Sequence, residues 1–194
     1  MPLTPEISKA QIISLAFNQL GQNESNSLTV VNPIYDRALA IYENMVIPDL
    51  LSCGDWKFAK TYASLSRLTA APLNTDWAYS YQLPTIPSPV REVLRTFPMT
   101  GYEIVGKQLW TNVLEIAIYY TYKPDEQYFP DYFVVLAVNK LTAVIAPFVT
   151  RDFKIAQFWQ GEANKSFAKA KAIDSQLQPN PVIQNDHFIS AHNV

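Results

Sequence analysis

The stretch WAYSYQLPTIPSPVREVLRTFPMTGYEIVGKQLWTNVLEIAIYYTY, residues 77–122, decides the fold because it carries few helix signals and stands between two long helical segments. At its start, apolar and smaller or polar residues alternate, a period of two that is typical of a strand with one buried face. The apolar positions are Trp77, Tyr79, Tyr81 and Leu83. Residues 114–123, LEIAIYYTYK, alternate in the same way. The sequence therefore predicts a small antiparallel sheet in the middle of the chain.

Residues 102–111, YEIVGKQLWT, are interpreted as a hairpin inside this stretch. Its two short strands are joined at Gly106 and Lys107, and glycine at the first central position suits a type II′ turn. Two more strands are predicted at residues 57–65 and 90–97. A short helix is the alternative for the second of them.

The helix before this region starts with a capping box, in which Ser8 and Gln11 satisfy each other's backbone N–H groups. Apolar residues at helical spacing follow, and Gly21 is the predicted stop.

A second helix is predicted to begin with Pro33 at its first position, where the missing N–H costs nothing. Pro48 is expected to kink or interrupt it before it ends at Gly54. Apolar residues at helical spacing predict its buried face. They are Ile34, Ala38, Ile41, Tyr42 and Met45.

Two helices follow the β region. The third starts at Pro130 and Asp131 and carries a broad apolar stripe to Thr150. The fourth is predicted from Asp152 to Gln178, where prolines forbid its continuation. Two helices alone on either side of the sheet would bury their stripes poorly, so all four are expected to share one bundle.

The predicted fold class is thus α+β: a four-helix bundle with a small antiparallel β region inserted between helices two and three, plus an extended C-terminal tail. The bundle is assigned to residues 1–56 and 129–178 as a discontinuous unit. The β region is assigned to residues 57–128 and the tail to residues 179–194.

The composition is that of a soluble protein with a packed core. Hydrophobic residues make up 48% of the 194 residues and charged residues 16%, which excludes wholesale disorder. A net charge of −2 provides no global attraction to nucleic acid or anionic membranes. No uninterrupted apolar run is expected to reach the ~18 residues of a membrane helix. Cys53, the single cysteine, lies in an apolar helical run and is expected to be a buried thiol.

The sequence offers little for catalysis. The two histidines, His187 and His192, lie in the tail, and no Cys/His cluster has metal-ligand spacing. The five glycines form no phosphate-binding pattern. Carboxylate pairs exist at element ends, where capping or solvation is their expected role: Asp125 with Glu126, and Asp49 with Asp55. The prediction is a protein that is not an enzyme and has no cofactor and no metal.

Two surfaces are candidates for contact with partners. The fourth helix has a local excess of lysine, which is interpreted as a solvated face or as a face toward DNA phosphates or an acidic partner. Its residues are Lys154, Lys165 and Lys169. Aromatic residues of the sheet are expected to be exposed as an interface, as a carbohydrate platform, or through packing on both sheet faces. They are Trp110, Tyr119, Tyr120 and Tyr122.

Five motifs follow one another in a fixed order and spacing across roughly residues 8–178. They are QLG (19–21), GDWKFA (54–59), WAYSYQLP (77–84), YEIVGKQLWTN (102–112) and IAIYYTYKPDEQYFPDYF (116–133). In this order the chain resembles the tail tubular protein A class, the head-to-tail adaptors of short-tailed (podovirus) phages. No single motif is specific, and the order of the motifs carries the resemblance.

The resemblance implies a structural virion protein that forms a ring, a dodecamer in related adaptors, between the portal protein and a tail nozzle of the tail tubular protein B-like kind. The ring would line the channel through which double-stranded DNA leaves the head, and would help to retain the packaged genome. It would do so without sequence-specific DNA binding, cofactor or membrane. The implied location is the head–tail interface of the virion, after synthesis in the host cytoplasm.

The resemblance also suggests roles for particular residues. The tail is expected to be a docking arm for the portal, with apolar anchors at Val182, Ile183, Phe188 and Ile189. Trp110, Tyr119 and Tyr120 are expected to face the nozzle or a neighbouring subunit. The lysines of the fourth helix are expected to face the DNA channel or an acidic partner. The alternatives are a tail-completion or terminator protein, a fibre-docking module that binds carbohydrate, and a small hydrolase.

Overall fold

The structure, a computed structural model, describes residues 7–22 and 33–177. It combines helices with antiparallel sheets, so the predicted α+β class is confirmed. The helical elements are α1 (Lys9–Gln19), α2 (Pro33–Ile41), a π-helical turn (Tyr42–Val46), α3 (Ile47–Cys53), α4 (Asp131–Thr150) and α5 (Phe153–Gln176). The strands are β1 (Lys60–Ser64), β2 (Ser66–Arg67), β3 (Tyr79–Gln82), β4 (Glu92–Phe97), β5 (Tyr102–Val105), β6 (Gln108–Thr111) and β7 (Ala117–Thr121).

Helix α1 has the predicted ends. The Ser8 side chain accepts a hydrogen bond from the Gln11 N–H, and the Gln11 side chain accepts one from the Ser8 N–H at 2.7 Å. Gly21 follows the helix with a φ of 72°, in the left-handed region that glycine adopts without strain. The capping box and the stop were therefore readable from local sequence alone.

Helices α2 and α3 form one run that is interrupted by the π turn, where the Ile47 N–H bonds to the Tyr42 carbonyl. Pro48 has no N–H to donate, and the regular ladder gives way directly before it. Because the π turn lengthens the helical period, the buried line advances in steps of four, through Ala38, Tyr42, Val46 and Leu50. The prediction that Ile34 and Met45 line the buried face is wrong, since both are exposed.

Helix α4 lies at the centre of the helical part and packs against α1, α2 and α5. Among the described residues it is the one helix long and apolar enough by composition to cross a membrane, although Asn139 and Lys140 interrupt its apolar run. However, 61% of its apolar window is buried inside the protein. Asn139 and Thr142 inside that window bond to α1 and α5. Helix α4 therefore has the burial pattern of a core helix of a globular protein.

The strands form two antiparallel sheets, whereas the sequence predicted one. One sheet has the order β1-β7-β4 and the other the order β2-β3-β6-β5. The predicted strand at residues 57–65 is shorter in the structure, because Lys57–Ala59 is a 3₁₀ turn and β1 covers only Lys60–Ser64. The region at residues 90–97 contains strand β4 and no helix. Gly106 has a φ of 61° and Lys107 has no positive φ, as a type II′ turn requires.

The inner faces of the two sheets share one apolar core. It contains Tyr81, Leu83, Val93, Leu109, Ile116, Ile118 and Tyr120. The alternation at residues 77–84 wrongly placed Ser80 on a wet face. Ser80 is buried, and its hydroxyl donates to the Ala70 carbonyl at 2.6 Å, because the segment after β2 covers it. A loop outside strand β3 thus covers the side of the strand that the alternating pattern predicted to be exposed to solvent.

The helical part and the β part meet at an aromatic and polar junction. Trp56 packs edge-on against Phe133, with ring centroids 5.2 Å apart, and Phe58 lies 4.8 Å from the same ring. Asp174, buried near the end of α5, accepts hydrogen bonds from the Lys57 N–H at 3.1 Å and from the Tyr132 hydroxyl at 2.6 Å. The start of the β part is thereby fixed to the last turn of α5. The assignment of boundaries at residues 57 and 129 stays a prediction.

Candidate interaction surfaces

The outer side of the three-stranded sheet carries the main cluster of exposed rings, which we call the aromatic face and define as Tyr62, Phe97 and Tyr119. Tyr62 on β1 lies directly opposite Tyr119 on β7, and their rings stack with centroids 4.4 Å apart and planes at 22°. Phe97 on β4 lies 5.9 Å from Tyr62. Because residues alternate sides along a strand, these rings point out while Ile118 and Tyr120 point into the core. Tyr62 is 66% exposed.

Two cations border the aromatic face. The Lys60 ammonium lies 5.9 Å from the Tyr119 ring centroid, and the Arg95 guanidinium lies 5.9 Å from that of Phe97. Lys60 also pairs with Asp55 at 2.5 Å, so much of its charge is neutralised within the chain. Arg95 is exposed. Rings together with an arginine are the residue types that interface cores favour.

The structure corrects two of the aromatic residues predicted to be exposed. Trp110 is 8% exposed and Tyr120 is 3% exposed. Trp110 is buried because β6 is an inner strand with both faces covered, and its indole N–H donates to Gln108 at 3.0 Å. Tyr120 belongs to the core between the sheets. Only Tyr119 of the three residues assigned to the nozzle or a neighbour lies on the exposed side, and it is half-buried.

Sequence reasoning missed Tyr62 and Phe97 as site residues. The signal that finds them is cross-strand register, since Tyr62 faces Tyr119 and Phe97 faces Ala117 across β7. That register is set by pairing between strands far apart in the chain. A period-two pattern within one strand does not contain it.

Helix α5 presents the second surface. Lys154, Lys165 and Lys169 are all exposed on the side turned away from α4, and Lys165 pairs with Glu162 at 2.7 Å. Phe158 lies on the same side of the helix and is 60% exposed. The predicted face therefore contains a large apolar side chain that sequence reasoning passed over.

Cys53 lines a groove of about 470 Å³ between the end of α3 and strands β4 and β7. The prediction of a buried thiol is wrong, because α3 ends at Cys53 and the residue is exposed. Partial desolvation, and then the neighbouring Asp49 carboxylate, raise the pKa of the Cys53 thiol above its ordinary value. A raised pKa disfavours the thiolate, which is the opposite of what an activated nucleophile needs.

The carboxylate pairs considered for acid–base chemistry are engaged separately. Asp49 pairs with Lys140 at 3.3 Å, and Asp55 pairs with Lys60. Glu126 accepts a hydrogen bond from the Tyr42 hydroxyl at 3.4 Å. In residues 7–22 and 33–177, no group of three or more His, Cys, Asp or Glu side chains could hold a metal ion.

The residues predicted to dock onto the portal lie outside the described residues, as do both histidines. The docking residues are Val182, Ile183, Phe188 and Ile189. Their role stays a prediction.

Comparison with known proteins assigns no family to this α+β chain. It matches no protein-family model, and no curated protein is significantly similar to it in sequence. The resemblance to phage adaptors therefore depends on the order and spacing of the five sequence motifs.

Proposed function

We propose that this chain is a structural virion protein, a head-to-tail adaptor that forms a ring between the portal and the tail nozzle of a short-tailed phage. The order of sequence motifs supports the class. The observation that carries the proposal is the aromatic face, three clustered rings on a rigid sheet with Arg95 at its border. Such a face fits contact with another protein better than it fits catalysis.

A ring subunit needs two different surfaces that complement each other in head-to-tail contact. The aromatic face supplies one of them. Aromatic side chains on strands lose little conformational freedom on binding and dominate the energy of interfaces. Tyr119 and Tyr62 would therefore contact a neighbouring subunit or the nozzle.

We further propose that the helices act as one four-helix bundle, made of α1, the α2–α3 run, α4 and α5. Helix α4 packs against each of the other three. Two consecutive side-chain hydrogen bonds link three of these helices and support a common core. Gln19 of α1 donates to Asn139 of α4 at 3.1 Å, and Asn139 donates to Ser166 of α5 at 2.7 Å. In the ring, the bundles would pack side by side and contact the portal, and the β part would project toward the nozzle.

The proposed partners are the portal protein, the nozzle protein and further copies of the chain, twelve in the assembled ring by analogy with the resembled class. Double-stranded DNA would pass through the lumen. A conduit should not hold its cargo tightly, and the net charge of −2 gives little general attraction to phosphates. The proposed location is the head–tail interface of the virion.

The test is assembly of the purified full-length chain with the portal protein of the same phage, followed by sedimentation velocity and electron microscopy. The wild type should form a complex whose mass corresponds to a ring on the portal. Tyr62→Ser combined with Phe97→Ser should keep the circular dichroism spectrum and lose ring formation. Tyr128→Ser, at an exposed tyrosine away from the aromatic face, is the matched control. Failure of the wild type to bind the portal would refute the proposal.

A fibre-docking module that binds carbohydrate is the alternative, because exposed rings also stack on sugars. The face-to-face contact of Tyr62 with Tyr119 covers one side of each ring, which favours protein contact. If the wild type binds a glycan array and Tyr62→Ser does not, the carbohydrate-binding module becomes the better supported function.

A further inference from the structure

A stripe of exposed residues runs along the outer side of helix α5, and we call it the α5 stripe. Its members are Lys154, Phe158, Gly161, Lys165 and Lys169, and all are exposed. They follow one another at steps of three and four residues, which places them on one side of a helix. The opposite side of α5 packs on α4 through Ala163 and Ala170. The recorded contacts of its side chains are with α5 itself: Phe158 meets Trp159 edge-on with ring centroids 5.4 Å apart, and Lys165 pairs with Glu162.

Gly161 is the member that the fold itself does not require. It lies inside a regular helix, has no positive φ, and a Cβ added there would meet no atom within 4 Å. Glycine inside a helix is less stable than alanine because it loses more backbone freedom on folding. Gly161 has no side chain and lies next to Phe158, whose ring is 60% exposed, so the helix surface is low directly beside a large projecting ring. That combination suits the close approach of another backbone.

The charges of the stripe indicate the chemistry of the partner. Among the described residues, Lys154 and Lys169 have no ion-pair partner, whereas Lys165 pairs with Glu162. Lys154 lies one helical turn before Phe158, and Lys169 lies three turns after it. Together they complement an element that is apolar in its middle and carries carboxylates toward both ends. Proteins that bind DNA through phosphates make on the order of 6–10 such contacts. Two unpaired lysines on the α5 stripe therefore favour a protein partner over DNA.

A second copy of the same stripe is a poor partner. Lys154 and Lys169 lie at nearly equal distances on either side of Gly161. Two α5 helices crossing antiparallel at Gly161 would bring Lys154 of one copy near Lys169 of the other. Like charges at such positions destabilise a helix pair, so the partner differs from this surface.

We propose that the α5 stripe is the docking surface for a helix of another protein, which crosses at Gly161, packs on Phe158 and presents carboxylates to Lys154 and Lys169. The inference rests on the proposed function in taking that protein to be another virion component. It goes further in naming the surface, the kind of element it receives and the charge of that element.

The experiment replaces Phe158 with photoreactive p-benzoylphenylalanine in the full-length chain, in cells in which the phage assembles, and maps the irradiated adduct by mass spectrometry. The expected result is an adduct on a carboxylate-bearing helix of a second virion protein. Gly161→Leu should reduce the adduct at least tenfold, because its side chain fills the low surface beside Phe158. Lys169→Glu should also reduce the adduct yield. Lys107→Glu changes an exposed lysine of the β5–β6 turn and should leave the yield unchanged. The photoreactive residue at Phe153, exposed on another side of α5, is the positional control.

Other results overturn the proposal. They are an adduct on α5 of a second copy, an adduct on DNA, no adduct, or an adduct that Gly161→Leu leaves unchanged. Gly161→Ala should raise the melting temperature of the isolated chain by about 2–4 °C, and a fall would show that the fold needs the glycine. Analysis of purified particles separates the two proposals. If the crosslink forms but purified particles lack the chain, only the virion role is rejected. If purified particles contain the chain but no crosslink forms, only the docking surface is rejected.

Discussion

Asp174 is the single residue on which the joint between the two parts of the molecule most depends. Its carboxylate is 3% exposed and is held by hydrogen bonds from the Lys57 N–H and the Tyr132 hydroxyl. Burial, and then the hydrogen bond to the Asp174 carboxylate, raise the pKa of Tyr132 above its ordinary value. Nothing in the local sequence at the end of α5 distinguishes this aspartate from a solvated one.

We predict that Asp174→Ala lowers the free energy of unfolding by about 1–3 kcal/mol, because it leaves two buried donors without an acceptor. Urea unfolding followed by circular dichroism measures the change. Tyr132→Phe removes only one donor and keeps the carboxylate bonded to Lys57, so it should cost less. An unchanged midpoint for Asp174→Ala would contradict the role assigned to this carboxylate.

Cys53 yields a prediction with a defined pH dependence. Desolvation and the Asp49 carboxylate raise the pKa of the thiol, so alkylation by iodoacetamide should reach half its maximal rate at a higher pH than for free cysteine. Asp49→Asn removes a negative neighbour and a hydrogen-bond acceptor, which favours the thiolate and should shift the midpoint to lower pH. Asp55→Asn is the control, since Asp55 pairs with Lys60. A midpoint that rises in Asp49→Asn would contradict the assignment.

At the scale of elements, a partly buried network of polar side chains specifies how three helices meet. Asn139 of α4 accepts from Gln19 of α1 and donates to Ser166 of α5. The Thr142 hydroxyl, also on α4, lies 2.6 Å from the Gln19 side-chain oxygen. Such bonds are satisfied only at one rotation and one height of each helix, so they select a single packing among several that an apolar stripe would permit.

Asn139→Ala should therefore lower the free energy of unfolding by about 1–3 kcal/mol, since it removes the buried amide that bonds to both Gln19 and Ser166. Thermal and urea unfolding provide the measurement. Asn164→Ala, on the exposed side of α5, should change it by less than about 0.5 kcal/mol. Equal effects of the two substitutions would show that the network is not a specific link.

The helices were largely predictable because their ends are coded locally. The capping box at Ser8 and Gln11, the start of α4 at Asp131 and the Asp152 cap of α5 involve contacts within one turn. The faces were less predictable. The π turn before Pro48 puts Val46 and not Met45 on the buried side. No local pattern in the sequence revealed this change.

At the scale of the whole molecule, two apolar cores are joined by residues that belong to both parts of the chain. One core is helical and the other lies between the sheets. Phe58 lies in the predicted β region, two residues after the predicted bundle segment ends, yet it packs with Phe129 and Phe133 against the helical core. Burial of rings from one part in the core of the other couples their unfolding.

We therefore predict that the full chain unfolds in one transition. Tryptophan fluorescence, which reports both the helical Trp56 and the β-part Trp110, should give the same midpoint as far-ultraviolet circular dichroism. Phe58→Ala should separate the two midpoints by weakening the junction. Two separate transitions in the wild type would contradict the coupling.

The sequence by itself determined which segments are helical, where most of them begin and end, most strands of the β region and the type II′ turn at Gly106. Each of these depends on residues within a few positions of one another. Only the tertiary structure decided that the strands form two sheets, that Trp110 and Tyr120 are buried while Tyr62 and Phe97 are exposed, and that Asp174 is a joint. The reason is that strand β7 pairs with both β1 and β4, and pairing between distant segments sets which side of each strand meets water.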